Sequence, residues 1–548
     1  MRKRNFFYLS ISAVAIAALL AISADRLSGQ QSTGASTSVG PLPGKARLNL
    51  VFILDGLRPD SINPDATPNL YRLRLEGVNF LNGHSVFPTV TRVNATAIAT
   101  GTYPGTNGIV GNNLYVPKVN PNRAFSNDDY KNLFKLDEVT GGNMVLVKSL
   151  GELLDARGMK LAAVSSGSTG QTLLLNPRAP KGVGILVNGY LEPGSLVAYP
   201  PNVNSEILSR FGAAPSKGGA KDPFDTAVIW TQEVLREYVI PQLQPDVVLD
   251  WLGEPDHMQH AFGVGSPRAR SSIQNDDRQI GLVLKKLAAI GLLDRCNIFV
   301  VSDHGFELNV YGVNIVQELI TAGLKANPDS DEVVMAASGQ AVLLHVKGRE
   351  PERIKAIVKF LQSQSWTGVV FTAAVQTDQE KVRGWVDGTF SLELIHMSHA
   401  ERGPDIVLTF PWTSARNAFG VQGSNFANTG GATGALSGSA SGHGSMGPWS
   451  VRNTFIAWGV DFKRGVTLRV PASNVDLTPT LLALKGINDA KGLNGRVLLE
   501  ALNGGPDEEQ IPNETRIFTT ETATGYRATI QVTNLRSQRY IDKSWRVR

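Results

Sequence analysis

The chain has 548 residues, 53 Lys and Arg against 48 Asp and Glu, a formal net charge of +5 and a single cysteine, Cys296. One cysteine excludes an intramolecular disulfide, and the length admits either several ordinary domains or one large α/β domain with insertions. Arg2, Lys3 and Arg4 supply most of the net charge, leaving about +2 for the rest, so a strongly basic nucleic-acid-binding surface is not indicated.

Those three cations precede an apolar run from Phe6 to Ile22 and small residues around Ala21, Ser23 and Ala24. Residues 1–24 therefore read as a signal peptide, which makes the protein exported, periplasmic or extracellular. The alternative is an uncleaved N-terminal anchor, because a run of about 17 residues sits at the short limit for a spanning helix. Residues 25–45, ending "QSTGASTSVGPLPGK", read as a flexible linker.

"LNLVFILDG" (48–56) is a continuous apolar run ending in Asp-Gly, the pattern of a strand buried on both faces of a parallel sheet. "TRVNATAIAT" (91–100), closed by Gly101, reads as a helix with Thr91 at its N-terminus. "VKSLGELLDARG" (147–158) reads as a helix, "KLAAVSS" (160–166) and "DVVLDWLGEPD" (246–256) as strands. "DDRQIGLVLKKLAAIGLL" (276–293) is helical by its three- and four-residue apolar spacing, and "CNIFVVSDHG" (296–305) repeats the buried-strand pattern. Strands alternating with helices predict an α/β fold, a doubly wound, mostly parallel sheet with helices on both faces. Insertions are expected near 115–140 and 308–402, as loops or a smaller cap. Residues 419–447, rich in Gly, Ser, Ala and Asn, read as a long flexible loop. The catalytic domain is taken as 46–510, with a C-terminal extension over 511–548.

In doubly wound sheets, polar side chains that do chemistry gather past the C-terminal ends of strands, where Asp55, Asp256, Asp303 and His304 all fall. Asp256 and His260, four apart in "EPDHMQH", would share a face of one helical turn. Each fragment alone has an ordinary structural explanation, since an Asp–His pair is most often a surface contact and Asp55 could cap a turn. Together they form a set of oxygen and nitrogen donors suited to divalent cations such as zinc.

The succession "ILDGLRPD", "ATPNLYRLRLEGVNF", "FPTVTRVNATAIATGTYPGTNGIVGN", "EPDHMQH", "VVSDHGFE" and "GHG" resembles the type I phosphodiesterase/nucleotide pyrophosphatase family of the alkaline phosphatase superfamily. "NVDLTPTLLALKGI" and "LNGRVLLEAL" are similar to the end of that catalytic core. The resemblance implies two divalent metal ions, zinc by preference over manganese, one held by Asp55, Thr91, Asp303 and His304 and the other by Asp256, His260 and His443. It also implies that Thr91 is the nucleophile, forming a phosphothreonine that water then hydrolyses, and that the Asn112 amide binds a non-bridging phosphoryl oxygen. A helix N-terminus and a metal-bound hydroxyl both favour Thr91 over Thr89 in that role.

The family usually carries Lys before the nucleophile and a base-stacking Phe-Pro after it, where this chain has Val90, Arg92 and Val93. Arg92 either meets an anionic part of the substrate or is a solvated helix-start residue. Glu254, His257, Gln259, His396 and His399 read as structural or supporting residues. The implied activity is hydrolysis of phosphodiester or pyrophosphate bonds in a small phosphate ester. The rivals are a phosphomonoesterase, a phosphonate hydrolase and an inactive binding protein on the same fold. A sulfatase is disfavoured because Cys296 lacks the required motif, and an envelope transferase because only the leader is apolar enough.

Overall fold

Strand β1, Leu48–Leu54, is buried at every position and takes a parallel neighbour on each side. That accounts for its near-continuous apolar sequence, since a strand covered on both faces has no solvent side to mark with polar residues. The structure is a computed structural model that describes residues 44–189, 198–215, 223–436 and 440–547. The predicted signal peptide and nearly all of the predicted linker lie outside these residues. The last two linker positions do not behave as a tether. A Cβ on Gly44 would lie 2.1 Å from the Leu484 carbonyl oxygen, and the Lys45 and Ala46 amides donate to Asp461.

The remaining strands of the central sheet are β2 (Val78–Phe80), β3 (Leu161–Ser165), β4 (Ile185–Asn188), β5 (Ala198–Tyr199), β6 (Val247–Leu252), β7 (Cys296–Val301), β8 (Phe455–Gly459) and β9 (Val466–Leu468). They run in the order β9-β2-β8-β7-β1-β6-β3-β4-β5. The run from β7 to β4 is parallel throughout, and antiparallel pairings appear only toward the edges. The doubly wound, mostly parallel expectation holds. Cys296 opens β7, buried and unpaired. Among the described residues no helix is long and apolar enough to cross a membrane.

Three helices matter for the site: α1 (Thr91–Thr100), α2 (Asp256–Phe262) and α3 (Pro267–Ala289). Helix α1 is rich in β-branched residues, which are indifferent helix formers. It is held by burial instead, since every residue but Arg92 is buried, and by hydroxyls turned back on the helix, Thr96 to the Arg92 carbonyl and Thr100 to the Thr96 carbonyl. Gly101 ends it in the left-handed conformation, φ 64°.

Of the two alternatives for 308–402, loops or a smaller cap, much of the segment takes the ordered one. Val333–Ser338, Ala341–Val346, Val370–Thr372 and Phe390–Ser391 join Ile406–Thr409 in a second, five-stranded sheet covered by helix Pro351–Ser363. Within 419–447, expected as a long flexible loop, Gln422–Asn428, Gly434–Ala435 and Ser441–Gly442 instead all pair with strand Glu307–Val313. Residues 514–547 form a three-stranded antiparallel sheet tied to the core by His84–Asp542 at 2.9 Å and by Tyr540 donating to Asp476 at 3.1 Å.

Candidate active site

Ile53 of β1 pairs with Trp251 of β6 and Val301 of β7, so the three strands end level with one another. Two residues further on, Asp55 and Asp303 face the same crevice, and both are buried. Each has one carboxylate oxygen fixed by a donor: Trp251 Nε1–H to Asp55 Oδ2 at 3.1 Å, and the Gly56 amide to Asp303 Oδ1 at 3.0 Å. The other oxygens, Asp55 Oδ1 and Asp303 Oδ2, are buried without a hydrogen-bond partner. Gly56 is required at this turn, since φ is 72° and a Cβ would sit 2.9 Å from the Phe306 ring. His304 donates from Nδ1 to the Gly305 carbonyl, which leaves Nε2 3.0 Å from Asp303 Oδ2, 3.4 Å from Asp55 Oδ1 and 3.5 Å from Thr91 Oγ1.

The second half of the site comes from α2 and a loop. His260 Nε2 and His443 Nε2 lie 3.5 and 3.4 Å from Asp256 Oδ1, another buried oxygen without a hydrogen-bond partner. Their Nδ1 atoms donate to the carbonyls of Ser441 and Thr89, both at 2.9 Å. The His443 ring stacks on His304 with centroids 3.5 Å apart, which joins the two halves. Ligand-capable atoms of Asp256, His260 and His443 fall within 4.8 Å of one another, and so do those of Asp55, Asp256 and His304. Asp256 thus belongs to both groups, where the sequence assigned it to one. Asp303 falls outside the second group by that measure but touches it through His304.

These donors fit divalent cations. All three imidazoles commit Nδ1–H to a backbone carbonyl, which fixes the tautomer and turns the Nε2 lone pair toward the carboxylates, the usual arrangement of metal-binding histidine. Burial, then repulsion from Asp303 and Asp256, pushes Asp55 well above the usual carboxylate range, and burial pushes Asp303 up to about 7. Burial also holds His304 down to about 3, so its ring is neutral and able to donate a lone pair. A cation among these groups would offset the carboxylate repulsion that the protein alone leaves uncompensated.

Thr91 is the first residue of α1, but Val90 is the N-cap and no side chain caps the helix. The Thr91 hydroxyl is therefore turned to the ligand cluster rather than spent on capping. Thr89 is spent: its hydroxyl meets the Ser445 carbonyl at 2.9 Å, Ser450 Oγ at 2.7 Å and the Gly444 amide at 3.1 Å. Asn112 Oδ1 accepts from the Arg92 amide at 3.1 Å, which leaves the amide NH₂ as its remaining side-chain donor. Arg92 forms an ion pair with Asp128, Nη2 to Oδ1 2.9 Å.

Sequence reading missed Trp251, Asp128 and Ser338, whose Oγ accepts from the Asn112 amide at 3.2 Å. Trp251 had a signal, its position in the strand that leads to Asp256. Ser338 had none, because it sits at the tip of a hairpin in the unread second sheet. Of the other five histidines, the three near the motifs have contacts of their own: His257 stacks on Phe224 at 3.7 Å, His396 on Tyr103 at 3.9 Å, and His399 accepts two backbone amides. Gln259 donates to the Gly56 carbonyl at 3.0 Å, and Glu254 is wholly buried behind Asp256.

The family model described as type I phosphodiesterase / nucleotide pyrophosphatase matches residues 49–415. The chain belongs to this family. Among curated relatives, this phosphodiesterase-family chain is 26% identical over 261 residues to venom phosphodiesterase of Naja atra, which covers 47% of the chain and 26% of that protein. It is 25% identical over 320 residues to ectonucleotide pyrophosphatase/phosphodiesterase family member 1 of Mus musculus, covering 56% and 30%. The matched stretch thus spans well under half the length of these relatives. Among solved structures, human ectonucleotide pyrophosphatase / phosphodiesterase 5 aligns with TM-score 0.54 at 18% identity, covering 83% of this chain and 99% of that one. The murine counterpart, an inactive threonine-to-alanine form in complex with AMP, aligns with TM-score 0.51 at 18% identity, covering 80% and 94%.

Proposed function

We propose that this family member is an exported, metal-dependent hydrolase that cleaves phosphodiester or pyrophosphate bonds of a small phosphate ester, with Thr91 as nucleophile. The observation that carries this reading is the contrast between two neighbouring threonines: the Thr89 hydroxyl is saturated with hydrogen bonds, while the Thr91 hydroxyl meets only the donor cluster, 3.5 Å from His304 Nε2. Export rests on the leader sequence and on relatives named as venom and ecto-enzymes.

Asp55, Thr91, Asp303 and His304 would hold one divalent cation and Asp256, His260 and His443 the other, with Asp256 close to both; zinc suits this mixed imidazole and carboxylate set. When bound, such a pair lowers the pKa of the hydroxyl and of water and neutralises charge on both sides of an in-line displacement. The chain's own part is then as follows. Thr91 Oγ1 gives up its proton and attacks phosphorus, one ester or phosphate oxygen leaves and takes up a proton, and a phosphothreonine ester forms that still carries the substrate's other substituent; water displaces Thr91 in the second step and releases that remaining half. In this reading the Asn112 NH₂ and the amides at the start of α1, other than that of Arg92, which Asn112 Oδ1 holds, donate to the non-bridging oxygens as negative charge develops on them. Residues 46–510 act as one catalytic domain in this reading, with 511–548 as a C-terminal extension.

Side-by-side kinetics on an aryl phosphodiester, an aryl phosphomonoester and a dinucleotide, in zinc, test the proposal. Diester or pyrophosphate cleavage is expected to lead, with the phosphoryl half that keeps its second substituent trapped on Thr91 after an acid quench. A protein that holds no stoichiometric metal, or turns over none of the three, would support the inactive binding protein instead.

A further inference from the structure

We propose that Asp128 sets which charge class of ester this site accepts: by neutralising Arg92 beside the nucleophile, it favours the singly charged phosphoryl centre of a diester over the doubly charged one of a monoester. This deepens, and rests on, the phosphoryl-transfer reading of Thr91.

Arg92 and Asp128 are brought together by a closed ring of contacts. Arg92 follows Thr91 in α1, and its backbone amide is held by Asn112 Oδ1 at 3.1 Å. The Asn112 carbonyl accepts from the Asn127 amide at 3.2 Å, while Asn127 Nδ2 donates to the Gly111 carbonyl at 2.9 Å. Asn127 is fully buried, so it staples its turn to the loop that carries Asn112. The next residue, Asp128, is thereby delivered to the Arg92 guanidinium at 2.9 Å. On the other side of the turn the Asp128 carbonyl accepts from the Gly170 amide at 2.7 Å, which fixes it from the far end. Arg92 is the residue next to Thr91, whose Oγ1 lies 3.5 Å from His304 Nε2.

The chemistry follows from charge. At neutral pH a phosphodiester carries one negative charge and a phosphomonoester close to two. A planar guanidinium is the side chain best shaped to take two such oxygens at once. Paired with Asp128 it presents no net charge, and the carboxylate adds repulsion toward a dianion. The Asp128 side chain is 42% exposed and that of Arg92 16%, so the carboxylate stays in reach of solvent and the ion pair is partly screened. Removing the carboxylate frees the guanidinium for the second phosphoryl charge.

The test uses the full zinc-loaded chain as wild type, Asp128→Asn, Asp128→Ser and the double variant Arg92→Ala/Asp128→Asn, with zinc content and melting temperature measured for each. The ratio of kcat/KM for p-nitrophenyl phosphate to that for bis-p-nitrophenyl phosphate is expected to rise about tenfold in both Asp128 variants, the scale of one charge-assisted hydrogen bond, and to fall back in the double variant. Calorimetric binding of inorganic phosphate, above its second ionisation, is expected to tighten by about the same factor in Asp128→Asn and not in the double variant. An unchanged ratio, an equal rise for both substrates, or a gain that survives loss of Arg92 would overturn the inference. A wild type that cleaves neither ester would overturn the reaction assigned to Thr91 instead, and the phosphate titration would still decide the claim for Asp128.

Discussion

The two halves of the site are built differently. Asp55, Asp303 and His304 stand on turns that leave adjacent parallel strands, at most 4% exposed, with each fixed oxygen or nitrogen held by a donor or acceptor from the sheet region itself. Asp256, His260 and His443 come from a short helix and a distant loop, and the His260 side chain is 44% exposed. The first half is preorganised by register, the second by two carbonyls, Ser441 and Thr89, that hold imidazoles in place from other segments. Rigid strand ends should hold a cation more tightly than a loop-supported set. The strand-end half also meets the proposed nucleophile, Thr91 Oγ1 lying 3.5 Å from His304 Nε2.

Thr91→Ala gives the largest effect. Turnover of a diester is expected to fall by about a thousandfold or more, with metal content and melting temperature nearly unchanged. Turnover near wild type would remove the chemical distinction between the halves.

Next come paired ligand variants read by metal analysis and chelator titration. Asp303→Asn is expected to lose the tighter cation and to melt at lower temperature, since metal bound only to the folded state contributes about 4 kcal/mol at a thousandfold excess over Kd. His260→Ala is expected to weaken only the looser centre while the fold holds. Equal losses from both variants would erase the contrast.

Trp251→Phe removes the indole N–H from Asp55 Oδ2 without opening a large cavity. It is expected to cost about 10- to 100-fold in metal affinity or activity, the usual scale for a group that orients a ligand, and competition with a chromogenic chelator measures it.

The smallest catalytic effect belongs to Thr89→Val. That variant takes the hydroxyl donor from the buried Ser445 carbonyl and one of two acceptors from the Gly444 amide, Ser450 Oγ remaining at 3.2 Å, and should cost about 1–3 kcal/mol of stability in urea unfolding, with kcat changed only a few-fold. A collapse of kcat to the Thr91→Ala level would show the wrong threonine had been chosen.

Legibility in the sequence follows the same division. β1, β6 and β7 were readable because strands buried on both faces are apolar throughout, and Asp55, Asp303 and His304 followed from their positions at the strand ends. His443 was readable only through the resemblance, because its neighbours Gly442 and Gly444 carry no periodicity. The small residues over 419–447 imitate a mobile linker, yet Gln422–Asn428, Gly434–Ala435 and Ser441–Gly442 within it pair with strand Glu307–Val313. Ser338 and Asp128 were invisible because nothing in a single sequence records which hairpin tip or turn meets the loop at Asn112.

The sequence by itself determined the parallel core, the helix that starts at Thr91 and the kinds of donor side chain at the strand ends, because local periodicity and residue chemistry are properties of short segments. Tertiary structure alone decided that Asp256 stands between both ligand groups, that Thr89 is spent in hydrogen bonds while Thr91 is not, and that Asp128 faces Arg92. Each of those is a meeting of segments far apart in the chain, fixed by strand register and by backbone hydrogen bonds that no local pattern encodes.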